Sequence, residues 1–357
     1  MAVPGSANPR IGAQGRESTR PAGTLEESRP VPAPVHAAAS EPAGPASDRA
    51  RIAVIKQRML WCLAILWLID TALQAQPVMF SYDIVSTIMT PSLGTNPIFL
   101  NSLDQWAINL VTPDIVAWNC GFIAIQGMVA VALLWGLLGR KRSLIRFGLW
   151  LSIFWGIVVW IVGEGTGGVF TGQGTMLTGA PGAVLLYLLI ATFLLLPDRQ
   201  WNLDGRFCAP RDTLAIIFFY GFLAQVLTPV YWSDGALSEL IQGQLGMAPP
   251  WMDSTLRPAV SLTAHSPQLW NAGLGLALLM AGILLWGRRP RLAGFVWLGI
   301  VLAVIWYWGE AMGGIFDGMG TDPNSAPLLA LLALPAWAVW RARREQAGIA
   351  SSEPAAV

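Results

Sequence analysis

Two glutamates occupy positions from which a membrane-embedded chain could do chemistry. Glu164 and Glu310 each end a Trp-rich apolar run and begin a glycine-rich stretch, residues 163–175 and 309–321. The two stretches share the skeleton Gly-Glu-x-x-Gly-Gly-(Val/Ile)-Phe-x-Gly-x-Gly-Thr, and each is followed by Ala-Pro and another apolar run. A carboxylate at the C-terminal end of a helix lies at the negative pole of the helix dipole, where an anion is disfavoured. Compensation can take two forms. The glycine-rich backbone can turn back and present N–H groups to the carboxylate, as anion-binding nests do, making each Glu a structural clip. Alternatively, the carboxyls hold a proton or a ligand, the usual role of ionisable groups beside membrane spans.

Other polar residues can join them. Asp70 lies well inside the first apolar run, where a carboxylate is costly. The reading open beside a functional one is a protonated or Gln74-bonded Asp in the bundle interior. At a 152-residue offset its counterpart is Phe222, so the halves differ there. Trp118-Asn119 and Trp270-Asn271 begin matching apolar runs. The asparagines could reach the glutamates or hydrogen-bond between helices, and the tryptophans suit either an interfacial belt or a ligand platform. Gln76-Pro77 ends the first run on the same side of the membrane, as Thr228-Pro229 ends the fifth.

Composition dictates the elements that position these residues. Apolar residues make up 54% of the 357 and charged residues 12%, with 18 tryptophans. The charged share is about half that of a soluble domain. The pattern predicts an all-α polytopic membrane protein with about eight transmembrane helices, near 59–76, 115–138, 147–163, 180–196, 213–230, 268–286, 293–309 and 326–340. All of the 22 Lys and Arg except Arg257 fall before the first run, in alternate connections or just after the last run. The positive-inside rule then places both termini in the cytoplasm and the loops at 77–114, 164–179, 231–267 and 310–325 outside. Four spans per copy give both copies one orientation, hence two tandem parallel four-helix repeats. The domain reading is a Pro/Ala-rich tail expected to be disordered over 1–50, membrane units at 51–200 and 201–345, and a short cytoplasmic tail at 346–357. Translation starting nearer Met59 is an alternative for part of the leading tail.

Several classes drop out. A net charge of +1 argues against nucleic acid. Cys62, Cys120 and Cys208 lack metal-site spacing and imply no disulfide framework. His36 and His265, the two histidines, lie outside the spans, which argues against membrane haem. Gly163-x-Gly165-x-x-Gly168 spells a dinucleotide fingerprint but follows a membrane helix instead of a strand. No metal site and no catalytic constellation stand out.

Residues 127–140, ending Leu-Leu-Trp-Gly-Leu-Leu-Gly-Arg, resemble the second and third helices of DoxX/DoxD-like proteins, and Leu284-Leu285-Trp286-Gly287-Arg288 repeats the tail of that pattern. Similar units occur in uncharacterised bacterial membrane proteins. The resemblance implies a bacterial inner membrane, neighbouring redox subunits and a quinone as the one cofactor to consider. Neither the glycine loops nor the Trp-Asn pairs belong to that family pattern. Three functions follow. One is an accessory or quinone-contacting subunit of a membrane redox complex, and another a small-solute or cation transporter or channel using the outer carboxylates. The third is a structural or assembly membrane protein with no ligand; in all three the lipid bilayer is the expected partner.

Overall fold

The apolar run after Lys56 and Arg58 forms the body of α1 (Pro45–Gln74) in a computed structural model of the chain. The structure describes residues 45–90, 93, 96–172, 174–201, 203, 208–286 and 291–352. The tail expected over 1–50 lies outside the described residues as far as residue 44, and from Pro45 the chain is helical, so α1 begins earlier than expected. In order follow α2 (Ile98–Val111), α3 (Ile115–Leu138), α4 (Arg142–Val162) and α5 (Ala183–Leu195). The second half holds α6 (Ala209–Leu227), α7 (Ala236–Gln244), α8 (Asp253–His265), α9 (Pro267–Leu285), α10 (Leu292–Val304) and α11 (Ser325–Ser352). Among the described residues there is no strand.

Among the described residues, six stretches are long and apolar enough to cross a membrane: Arg49–Gln74, Ile98–Leu138, Arg142–Val162, Pro267–Leu285, Leu292–Gly309 and Ser325–Arg344. The runs expected at 180–196 and 213–230 are α5 and α6. The 13 residues of α5 fall short of the ~20 that a bilayer core requires, and α6 carries Arg211 and Asp212 in its first turn. Residues 77–114 and 231–267, expected as loops, are largely helical. Leu100, Ala107, Ile108 and Val111 give α2 a buried stripe at helical spacing, and Asp114 caps α3 by accepting from the Ala117 N–H.

Within each half the long helices close a ring. In the first, α1 packs on α3, α3 on α4, α4 on α5, and α5 back on α1. The second repeats this with α6, α9, α10 and α11. The halves meet along α1, α5, α6 and α11. Apolar all round, α5 occupies this junction, with Leu186, Tyr187, Ile190 and Ala191 fully buried. A helix with no polar face is stable only when surrounded. At one end of the bundle lie the two glycine loops; there α2 packs on α4 in the first half, and α7 packs on α8, α9 and the end of the α10 span in the second.

Candidate functional site: an acidic, tryptophan-walled cavity beneath the glycine loops

The glycine loops owe their composition to handedness. Gly165, Thr166, Gly167 and Gly168 have φ of 52, 61, 59 and 71°, and Ala311, Met312, Gly313 and Gly314 have 45, 56, 72 and 62°. Each loop thus makes a left-handed turn, which costs L-residues other than glycine roughly 1–2 kcal/mol apiece. Space is equally restrictive: a Cβ on Gly167 would lie 2.0 Å from the Pro181 carbonyl oxygen.

The turn brings each glutamate beneath the start of the next helix. Val184 N–H donates to Glu164 at 3.1 Å. Ser325 N–H and Ala326 N–H donate to Glu310 at 3.2 and 3.3 Å, and the Ser325 hydroxyl donates to it as well. These are the orphan N–H groups at the positive poles of α5 and α11, so the dipole of the following helix compensates that of the preceding one. The expectation that the glycine backbone itself supplies the donors is therefore corrected. A tryptophan braces each turn: Trp160 donates to Pro181 O at 2.8 Å and Trp306 to Pro323 O at 2.9 Å.

Burial, then the neighbouring Asp322 carboxyl, push Glu164 up to about 8 against the N–H groups that lower it. Burial also pushes Glu310 up to about 8, opposed by its bonds from Ser325 and Ala326. At neutral pH both carboxyls are largely protonated, and glutamine imitates that form. Glu310→Gln is expected to insert and accumulate as the natural protein does. Glu310→Ala, which strands buried N–H groups, is expected to lower stability by about 1–3 kcal/mol. Thermal melts of the detergent-held protein, followed by size exclusion, would distinguish the two, and equal melts would refute the clip.

The asparagines do not reach the glutamates. Gln74 donates to Asn119 Oδ1 at 2.7 Å, and Asn119 donates to Gln74 O at 3.2 Å, joining α1 to α3. Gln225 donates to Asn271 Oδ1 at 2.6 Å, joining α6 to α9. The amide of Gln74 is thus committed to Asn119. Asp70 accepts instead from the Tyr187 hydroxyl at 2.9 Å, which corrects the Gln74-bonded reading. The paired glutamines also shift the register by one, so Gly221, rather than Phe222, stands where Asp70 stands in the first half.

Each glycine loop reaches into the opposite half. Thr175 donates to Gln225 at 2.6 Å, and Met176 fills the space above Gly221, its sulfur 2.1 Å from where a Cβ would be. The residue 146 positions after Met176 is Asp322. It lies over the first half, accepting from Asn324 N–H at 2.7 Å and the Thr321 hydroxyl at 3.0 Å. Burial pushes the Asp322 carboxyl up, against those two bonds. Where the second half is plugged by methionine on glycine, the first keeps an aspartate at each position and a cavity of about 360 Å³.

The polar part of the cavity wall comprises Asp70, Gln74, Gln126, Glu164, Thr321 and Asp322. Trp67, Trp106, Trp118, Phe122 and Trp155 supply its aromatic part, and among the described residues no Lys, Arg or His lines it. Gln126 and Trp155 are each 8% exposed, and among the described residues Gln126 Oε1 and Trp155 Nε1 have no hydrogen-bond partner. Among the described residues no three His, Cys, Asp or Glu side chains gather closely enough to hold a metal ion.

Of the residues singled out from the sequence, Asp70, Glu164 and Trp118 line the cavity. Asn119, Asn271, Glu310, Gln76 and Trp270 do not. Trp270 is 40% exposed at the bundle surface. Gln76 approaches the second loop beside Gly318, its Oε1 buried and without a hydrogen-bond partner among the described residues. Sequence reasoning missed Asp322, Gln126, Tyr187 and Trp155. The one available signal for Asp322 was the departure from Met176 at the matching place in the first loop. Comparison of the chain with protein-family models, curated proteins and solved structures finds no match.

Proposed function

We propose that this integral membrane protein binds a small cationic solute in the first-half cavity and belongs functionally with transporters or channels. The observation that carries this reading is the convergence of Asp70, Glu164 and Asp322 on one largely apolar space whose described wall holds no cationic side chain. Like charges in a low-dielectric site cannot all ionise unless a cation compensates them; otherwise some of the carboxyls keep their protons. The proposal includes eight spans, α1, α3, α4, α5, α6, α9, α10 and α11, as two tandem four-helix repeats in a bacterial inner membrane. Both termini are then cytoplasmic, and the cavity opens toward the outer leaflet.

The test is calorimetric titration of the full chain in lipid nanodiscs with alkali, alkaline-earth and organic cations, followed by flux in proteoliposomes for any that bind. Binding that weakens in Asp70→Asn or Asp322→Asn supports the reading. Failure of every cation to bind refutes it. The second reading, a quinone-contacting redox subunit, is favoured by Trp155 Nε1, a buried unpartnered donor suited to a quinone carbonyl. Short-chain ubiquinone is the probe for that role.

A further inference from the structure

We propose that the solute is an organic amine: a monocation with one N–H-bearing head and an apolar, preferably aromatic, body. This rests on the cation reading above and narrows it. Size argues first. At roughly 30 Å³ of liquid per water, the 360 Å³ cavity holds on the order of a dozen waters' volume, far more than a bare ion occupies. It falls within the range of small-molecule sites, about 300–1,000 Å³.

Ligand arrangement argues second. Calcium takes six to eight oxygens at about 2.3–2.6 Å, and magnesium demands a tight octahedron. Asp70, Glu164 and Asp322 all line this cavity, yet among the described residues no three such side chains gather closely enough to hold a metal ion. Dispersed acceptors suit an ammonium group, whose N–H donors point in different directions while the rest of the molecule lies elsewhere.

The wall itself argues third. Tryptophan is the best cation–π partner, most effective where water is excluded. Trp67, Trp106, Trp118 and Trp155 come from four different helices to surround the same space as the acids. Trp67 is already fixed by its indole bond to Ser152 at 3.0 Å, and Phe122 packs against both Trp118 and Trp155. The unpartnered Gln126 Oε1 adds an acceptor that an N–H donor can satisfy. Such a site binds a charged head and an apolar body together, and discriminates against a neutral molecule of the same shape because the carboxyls then gain nothing.

The experiment uses phenethylammonium, its neutral analogue 2-phenylethanol, Na⁺, K⁺, Mg²⁺ and Ca²⁺, and a short-chain ubiquinone. Each is titrated into the full chain in nanodiscs by calorimetry, with tryptophan fluorescence as the second signal. The amine is expected to bind at least about tenfold more tightly than the alcohol, in keeping with a charge-assisted hydrogen bond. Trp106→Leu is expected to weaken the amine several-fold, and Asp322→Asn tenfold or more, with circular dichroism and size exclusion unchanged. Should Asp322→Asn fail to fold, Glu164→Gln takes its place. Binding of inorganic cations without the amine would overturn this inference and leave the cation reading standing. Equal binding of amine and alcohol, binding of ubiquinone alone, or no binding at all would overturn both.

Discussion

Gly309→Ala is expected to leave little folded protein in the membrane. A Cβ at this position would sit 1.8 Å from the Leu177 carbonyl oxygen and 2.8 Å from its carbon. Real contacts of this kind stay above 3 Å, and the atoms in the way are backbone. Leu177 has no freedom to retreat: its N–H donates to Thr175 Oγ1, which in turn donates to Gln225 across the junction. Overpacking typically costs about 1–3 kcal/mol and more where backbone must move. Here it would pry the first glycine loop from the second half, against a total stability on the order of 5–15 kcal/mol. Gly299→Ala in α10 is the control, because nothing lies within 4 Å of its Cβ and alanine favours a helix interior by about 0.5–1 kcal/mol. Fluorescence-detected size exclusion of a tagged chain would show a full peak for Gly299→Ala and a lost or aggregated one for Gly309→Ala. A full, monodisperse Gly309→Ala peak would mean the loop contact is dispensable.

That contact shows why some of the molecule was legible in the sequence and some was not. The glycine loops announced themselves because a left-handed turn leaves a mark in residue type, and a close backbone approach leaves another. Even so, Thr166, Ala311 and Met312 occupy left-handed positions with no sequence sign of it. The glutamates stood out as acids beside membrane helices, but their donors are backbone N–H groups of Val184, Ser325 and Ala326. Any residue but proline supplies such a group, so the sequence carries no trace of the pairing. Apolar runs revealed the long helices. By contrast, α2, α7 and α8 are short and mixed in polarity, and their amphipathic stripes read as loop. The cavity was the least visible feature. Tyr187 meets Asp70 across 117 positions, and Asp322 reaches the first half by an exchange of loops that no local pattern encodes. The difference that creates the cavity, aspartate against Gly221 and Met176, became readable only after the Gln74–Asn119 and Gln225–Asn271 pairs fixed the register.

Amine affinity is expected to climb with pH and level off near pH 8, and the limb should depend on Glu164. Burial first, then Asp322, push this carboxyl up to about 8, so at pH 6 the site holds a proton that a cation must displace. Release of one proton per cation bound raises affinity about tenfold per pH unit below the carboxyl's pKa, and not at all above it. Asp70 and Asp322 face the same space, and no described Lys, Arg or His in the wall opposes them. Glu164→Gln is therefore expected to make the limb shallower, leaving the part owed to the other carboxyls of the wall. Glu310→Gln is expected to preserve it, although Glu310 too is pushed up to about 8, because its carboxyl caps α11 and lies outside the cavity wall. Asp322→Asn carries the most discriminating sign. Removing a like charge lowers the Glu164 pKa, so the plateau should begin at a lower pH while the plateau affinity itself falls by about tenfold or more. Calorimetric titration of phenethylammonium between pH 5.5 and about 9 would read both changes in one series. A limb that Glu164→Gln leaves unchanged, or a plateau that Asp322→Asn moves upward, would show that these two carboxyls do not share one site.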